Sequence, residues 1–514
     1  MRRLQLVSQG SLSRMIKSAD ESWERGDSQQ CFETLERASR LDPGNPKMQF
    51  YLAQRYGLRY NHAAAGRCFE QAVRIALHKT EALEFAGRLS LDFGRHQMAE
   101  DYLQRALEQK DATAETFARL AELYERLHRM EDASKLVAQA LQLDDNCALA
   151  QLTRAKLFRR AGRLEEAEKI LRLFPTTTER YIQVRRFYEL GTNLDLQGRY
   201  DDAMSAFLEG KALLQPDAPP LLAQLKLVRE RLKQMQNDIT PEMLQRWHDC
   251  APPLAPGHRL AFLGGHPRSG TTLLEQVLDS HPDIISAEET TIFNEEAYMP
   301  LMRGLPQNTL LLPALEAAQT ETLRQIRKNY FRSMEMHLGN PIGQRLLIDK
   351  NPSIQSLILA FVRIFPEIKL LVALRDPRDV VLSSFMQVYL PLNMGSVSAL
   401  DLEVAVENYA GVMGVWQKLV PLIKNPFLEV RYEDMVNDLE SVARRTLKFL
   451  GAPWDTRVLG FNKHAQQKAV RSPTYADVTQ PVYKRSQGRW HNYKKYLEPH
   501  LEKLEPFIKA FGYE

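Results

Sequence analysis

The chain has 514 residues, 44% hydrophobic and 26% charged, with a formal net charge of +4. That length exceeds what one hydrophobic core organises, so two or three domains are expected. So small a net charge excludes a general nucleic-acid coat and leaves room for a local basic pocket. The cysteines Cys31, Cys68, Cys147 and Cys250 lie far apart with no C-x-x-C pair. They fit neither a disulfide framework nor a zinc site, and they point to a reducing, cytoplasmic setting. The basic start MRRLQLVSQG runs into no apolar segment, and no stretch approaches the roughly 18 apolar residues of a spanning helix. Neither a signal peptide nor a membrane span is expected.

Residues 1–215 repeat. Ala38, Ala72, Ala106 and Ala140 recur every 34 residues, and Cys31, Ala65, Ala99, Ala133 and Ala167 keep the same phase seven residues earlier. Four residues after each of these stands a larger apolar side chain: Leu35, Phe69, Leu103, Val137 and Leu171. A drifted copy follows with Ala203, Phe207 and Gly210. Small residues let two antiparallel helices approach, and the larger one wedges between them. Turn signals such as Asp42-Pro43, Gly94-Arg95, Gly162-Arg163 and Gly198-Arg199 separate the helices. The period and pattern resemble the tetratricopeptide repeat, which implies an all-α superhelix whose groove holds a peptide or protein partner.

Residues 216–257 read as a helical linker. A helix near Leu221–Met235 and a second short one lead into Ala-Pro-Pro-Leu-Ala-Pro-Gly at 251–257, too proline-rich for helix or sheet. From 258 to 514 the pattern changes. The short apolar runs RLAFLGG (259–265), IKLLVALRD (368–376) and PFLEVRYED (426–434) are each followed by a helical pattern. Strands alternating with helices predict a central parallel sheet in an α/β domain, with ligands at the carboxyl ends of the strands.

The first of these runs ends in Gly264-Gly265, and Thr271-Thr272 open the following helix. A strand, a glycine-rich turn and a helix N-terminus make an anion cradle. Ser269, Thr271 and Thr272 add hydroxyls, and Arg268 adds a guanidinium. Gly265 and Gly270 have the spacing of the nucleotide-triphosphatase loop, but Thr271 stands where its lysine belongs. The loop is therefore P-loop-like without the group that serves the β- and γ-phosphates.

Three blocks, HPRSGTTLLEQVLDSHPDIISAEET (266–290), DKNPSIQSLILAFVRIFPEIKLLVALRDPRDVVLSS (349–384) and VRYEDMVNDLESVARRTLKFLGAPW (430–454), resemble sulfotransferases that use 3′-phosphoadenosine 5′-phosphosulfate (PAPS). Among these the protein-tyrosine sulfotransferase type is the most similar. The resemblance implies a P-loop-like α/β fold, PAPS as donor substrate, no metal, and a hydroxyl acceptor on a peptide, glycan or small molecule, peptidyl tyrosine included. It implies that Arg268, Ser269, Gly270, Thr271 and Thr272 cradle the 5′-phosphosulfate, and that Arg375 and Ser383 bind the 3′-phosphate. It gives Glu289 as general base, Lys350 as the lysine facing the leaving group, and Tyr432 as a donor contact. In the segment 471–490, Ser472 matches the serine acting in the transition state and Arg489 matches a donor-contacting lysine, with Ser486 as a competing hydroxyl.

The chain also departs from that pattern. Where tyrosine-specific members use arginines to read acidic peptides, it has Thr291 and Glu295, and a further donor-site arginine is replaced by Gln387. Small-molecule sulfotransferases use a histidine base, yet neither His266 nor His281 sits in a matching motif. The reading that competes with an enzyme is a protein-interaction scaffold with a degenerate transferase domain. The presence of Arg268, Glu289, Lys350, Arg375 and Ser383 together argues against it.

Overall fold

The computed structural model describes residues 9–175, 179–249, 258–303, 305–306, 309–467 and 478–513. Antiparallel helix pairs fill the first part: α1 (Gln9–Glu24) with α2 (Ser28–Leu41), α3 (Pro46–Leu58) with α4 (His62–Ile75), and α5 (Lys79–Asp92) with α6 (His96–Leu107). Then come α7 (Ala114–Arg126) with α8 (Met130–Leu143), α9 (Ala148–Arg160) with α10 (Leu164–Arg172), and α11 (Arg180–Leu196) with α12 (Tyr200–Ala212). The phased alanines account for the pairing. Ala38, Ala65, Ala72, Ala99, Ala106, Ala133, Ala140 and Ala167 have no exposed surface, and Phe69, Leu103 and Leu171 are buried beside them. An alanine at the contact costs no side-chain entropy and lets helix axes close, while the larger residue supplies the apolar area.

The helices α13 (Ala218–Asp238) and α14 (Pro241–Asp249) form where the sequence predicts them. They do not hang free: Leu225, Leu232, Met235 and Trp247 join one hydrophobic core with side chains of the following α/β domain. Gln236 donates to the Gly411 carbonyl at 3.1 Å. Residues 251–257, where the sequence places a boundary, lie outside the described residues.

The α/β domain is built on five parallel strands in the order β2-β3-β1-β4-β5. They are β1 (Arg259–Gly265), β2 (Ile284–Glu288), β3 (Leu346–Lys350), β4 (Lys369–Leu374) and β5 (Phe427–Arg431). The inner strands are almost wholly buried, as continuous apolar runs in a parallel sheet covered on both faces must be. Helix α15 (Thr271–Asp279) follows β1 directly. The carboxyl ends of all five strands open on one edge, where β2 runs into Glu289, β3 ends on Lys350, β4 runs into Arg375 and β5 into Tyr432. The sequence reading did not anticipate β2, a five-residue strand that follows α15 within the block 266–290. Among the described residues no helix is long and apolar enough to cross a membrane.

Candidate functional site

The turn between β1 and α15 takes left-handed backbone at Gly265 (φ 121°), Arg268 (φ 76°) and Gly270 (φ 92°). Arg268 in that region is strained, since its Cβ crowds the neighbouring carbonyl. Both glycines are sterically required as well. A Cβ on Gly265 would lie 2.3 Å from the Ala373 carbonyl oxygen, and one on Gly270 would lie 2.8 Å from the Tyr432 ring. Gly265 N–H donates to Gln355 Oε1 at 2.8 Å, and Ser269 N–H closes the turn onto the His266 carbonyl at 3.1 Å. This turn of alternating handedness, leading into a nine-residue helix, is the geometry of an anion-binding concavity.

A cavity of about 870 Å³ lies over this turn. Arg268, Gly270, Thr271, Thr272, Glu289, Arg375, Ser383, Tyr432 and Arg489, all expected from the sequence, line it, with Gln387 and Ser486. Ser269 is buried beneath the turn. Ser472 lies outside the described residues. Arg268 Nε donates to Ser383 Oγ at 3.1 Å, tying the turn to the helix after β4. Arg375 reaches the Arg268 carbonyl at 3.3 Å through Nη1, and its guanidinium lies 4.9 Å from the centre of the Tyr432 ring. Its acidic neighbour at 3.7 Å is Asp379; Asp376 pairs with Arg378 instead. Arg375 Nε is buried without a hydrogen-bond partner, as is Ser384 Oγ. A guanidinium nitrogen left in that state suits a site for an anion, because an unpaired buried donor is costly.

Glu289 lines the same cavity, and the buried Lys350, not itself among the lining residues, meets its carboxylate. Lys350 Nζ donates to Glu289 Oε1 at 2.8 Å and lies 3.2 Å from Glu275 Oε2. Burial works against the ammonium charge, but Glu275, Glu289 and Glu288 outweigh it and hold Lys350 above its ordinary pKa. The lysine is therefore charged, 1% exposed, and turned toward a carboxylate that is itself one-third exposed. Glu275 was not found from the sequence. The one available signal was a pair of polar residues, Glu275 and Gln276, on a helix face that is otherwise buried and apolar.

The two histidines near the turn have structural partners. His266 donates from Nδ1 to the Pro267 carbonyl at 2.9 Å, and burial pushes its pKa down to about 4, so it is neutral at pH 7. His281 is fixed between the Pro453 carbonyl at 2.9 Å and the Asp283 amide at 3.1 Å.

The repeats form the other wall. Lys156, Arg159 and Arg160 of α9 and Arg185 of α11 line the same cavity. Arg160 pairs with Glu125 at 2.5 Å, Arg159 with Glu189, and Arg185 with Glu122. Arg489 is held by a repeat residue as well, with Nη2 2.7 Å from Asp195 Oδ2. Tyr493 donates to the same carboxylate at 2.7 Å.

Fold and site together define an α/β domain whose cavity, over a glycine-rich turn, is walled by a helical repeat array. Residues 261–456 match the model of the sulfotransferase family, and residues 119–176 match a tetratricopeptide-repeat model. The chain thus carries a segment similar to the sulfotransferase family after one similar to the tetratricopeptide repeat. An uncharacterized protein of Aquifex aeolicus (strain VF5) is 22% identical over 495 residues, covering 93% of this chain and 62% of that one. Protein-tyrosine sulfotransferase 1 of Danio rerio is 27% identical over 207 residues, 39% of this chain and 55% of its own. The chain therefore spans less than two thirds of either relative's length. Among solved structures, the sulfotransferase domain of the Synechococcus PCC 7002 olefin synthase is 22% identical. It covers 47% of this chain and 91% of its own, with a TM-score of 0.33.

Proposed function

We propose that the chain is a sulfotransferase that moves the sulfuryl group of PAPS to an acceptor hydroxyl, with Glu289 as general base. The observation that carries this reading is that Glu289, hydrogen-bonded to the buried Lys350, lines the same cavity as Arg268, Ser383 and Arg375. Neither half suffices alone. An anion cradle binds phosphate esters generally, and a carboxylate–lysine pair is common as structure.

In the proposed step the acceptor oxygen forms a bond to sulfur as the bond from sulfur to the bridging phosphate oxygen breaks. Glu289 takes the acceptor proton. Lys350 and Arg268 face the charge that develops on the leaving oxygen. A positioned base contributes about 10²–10⁴-fold, and fixed positive groups at developing charge contribute a comparable amount. The turn lacks the P-loop lysine, which fits a single 5′-phosphosulfate better than a triphosphate. Thr272, Arg375 and Ser383 would hold the donor's phosphates, and Tyr432 the wall beside them.

The name of the Danio rerio relative gives protein tyrosine as its acceptor, and this chain's acceptor is proposed only as a hydroxyl. The domain limits 1–215, 216–257 and 258–514 are likewise proposed. The test is calorimetric binding of adenosine 3′,5′-bisphosphate to the full chain without magnesium, together with transfer of labelled sulfate from PAPS into a cell lysate. Micromolar binding and labelled product support the reading. Absence of bisphosphate binding alongside magnesium-dependent binding of ATP would overturn it.

A further inference from the structure

We infer that the turn Arg59–Tyr60 of the repeat array is a positioning device for Glu289, and that sulfuryl transfer depends on it. The inference rests on the proposed role of Glu289 and concerns how that carboxylate is held.

The backbone just after Glu289 is gripped from two sides. The Thr290 carbonyl accepts from Asn351 Nδ2 at 2.7 Å, and Asn351 directly follows Lys350. One residue later the Thr291 amide donates to the phenol oxygen of Tyr60 at 2.8 Å, across 231 residues of sequence. That phenol lies 3.0 Å from Thr291 Oγ1, which donates to Glu295 Oε1 at 2.6 Å. Arg59 completes the grip. Its Nη1 lies 3.1 Å from Glu295 Oε2 and its Nη2 lies 2.5 Å from Glu296 Oε1. Ser333 Oγ donates to the same Glu296 oxygen at 3.0 Å. The segment 290–296 is thus tied at one end to the strand that carries Lys350 and along its length to the repeats.

The backbone of Tyr60 points the same way. The turn between the two helices of each repeat needs a left-handed residue, and at this position stand Gly26 (φ 74°), Gly94 (φ 67°) and Gly162 (φ 76°). At the same 34-residue phase stands Tyr60 with φ 59°. Glycine adopts this conformation freely, whereas a tyrosine there is strained. A residue kept at that cost is kept for its side chain, and the Tyr60 phenol meets Thr291 N and Oγ1. The second non-glycine at this phase, His128 (φ 62°), also has its side chain engaged, with Nδ1 2.8 Å from Nη2 of the cavity-lining Arg160.

The positions at which the tyrosine-specific pattern has acceptor-reading arginines are 291 and 295, and both are engaged here by the repeats. The segment has exchanged a role toward the acceptor for a fixed placement of the carboxylate two residues upstream. Holding a base within a fraction of an ångström of its working position is worth orders of magnitude in rate, so loosening the segment acts on turnover and not on donor affinity.

The experiment uses the full chain and two variants, Tyr60→Phe and Tyr60→Gly. The first removes one oxygen and keeps the ring; the second removes the side chain and relieves the backbone. Three quantities are measured: affinity for adenosine 3′,5′-bisphosphate, the rate of label transfer from saturating PAPS into a lysate, and hydrogen exchange of peptides spanning 289–296. Both variants are expected to bind the bisphosphate within twofold of the parent, to transfer 10- to 100-fold more slowly, and to exchange faster at Thr291. A structural turn would instead be unaffected by glycine. Transfer within twofold of the parent in either variant overturns the inference. Should the parent neither bind the bisphosphate nor transfer label, the sulfotransferase reading falls instead, and unchanged exchange at Thr291 in Tyr60→Phe then overturns the clamp by itself.

Discussion

The ammonium of Lys350 lies 3.2 Å from the carboxylate of Glu275, a side chain with no exposed surface. Glu275 also accepts from Ser286 Oγ, so α15 and β2 are both tied to the lysine at the end of β3. A buried pair of this kind is expensive to break from one side and nearly neutral to replace from both. Glu275→Gln is expected to lower stability by about 3–5 kcal/mol in urea unfolding. The double variant Glu275→Leu with Lys350→Met is expected to recover most of that loss and still transfer no sulfate, which separates the lysine's role in folding from its role at the leaving oxygen. Full transfer by the double variant would remove Lys350 from the reaction.

Glu289 differs from Glu275 in facing the cavity. Glu289→Gln keeps the side chain's volume and its contact with Lys350 while removing the proton acceptor. The expected result is a loss of about 10²–10⁴ in transfer rate with bisphosphate affinity retained. Burial pushes the His266 pKa down to about 4, which makes its ring a weak base, and His266 is not among the residues lining the cavity, so that histidine does not replace the lost base. Retained transfer in Glu289→Gln would refute the assignment.

The turn offers a steric test. Gly265→Ala places a methyl 2.3 Å from a backbone oxygen of the neighbouring strand β4, in a conformation that L-residues avoid. Neither the strand nor the carbonyl can retreat cheaply. Loss of the bisphosphate-induced rise in melting temperature is expected, with the repeats still helical by circular dichroism. Arg375→Ala removes a guanidinium from the same cavity. It is expected to weaken the bisphosphate by about 1.5–3 kcal/mol, or roughly 10- to 100-fold.

The parts of this molecule that could be read from sequence are those whose signal is local or periodic. The alanine phase at 34 residues needs only helix–helix contact to show itself, and each of those alanines is buried. The turn 264–272 announces itself by glycines that backbone geometry requires. Contacts across hundreds of residues leave no such mark. Tyr60 reads as a turn residue, Asp195 as one acid among many, and Glu275 as a polar position in an amphipathic helix; only the folded chain sets them against Thr291, Arg489 and Lys350. The helix α13 was legible as a helix, but its packing against the α/β domain depends on Leu225, Leu232 and Met235 meeting partners far along the chain.

Lys211 gives a prediction that involves no chemistry at the cavity. It sits on α12, 2% exposed, with Nζ donating to the Ala399 carbonyl and lying 3.9 Å from the centre of the Phe385 ring. Burial outweighs the attraction of Asp401 and pushes its pKa from 10.5 down to about 7. The folded chain therefore releases this proton near pH 7, whereas the unfolded chain keeps it until near pH 10.5. Across that window the unfolded state binds more protons, so stability contributed through this group rises with pH. Below pH 7 both states carry the charge and the folded state bears the full cost of burying it. Lys211→Met keeps the packing and deletes the charge. It is expected to be more stable than the parent by up to about 5 kcal/mol at pH 6.5, from roughly 1.4 kcal/mol for each pH unit separating the two titrations, with the gap narrowing steadily toward pH 10. Denaturant unfolding of both proteins at pH 6.5, 8 and 9.5 measures that gap. A constant gap would mean that Lys211 titrates alike in the folded and unfolded chains.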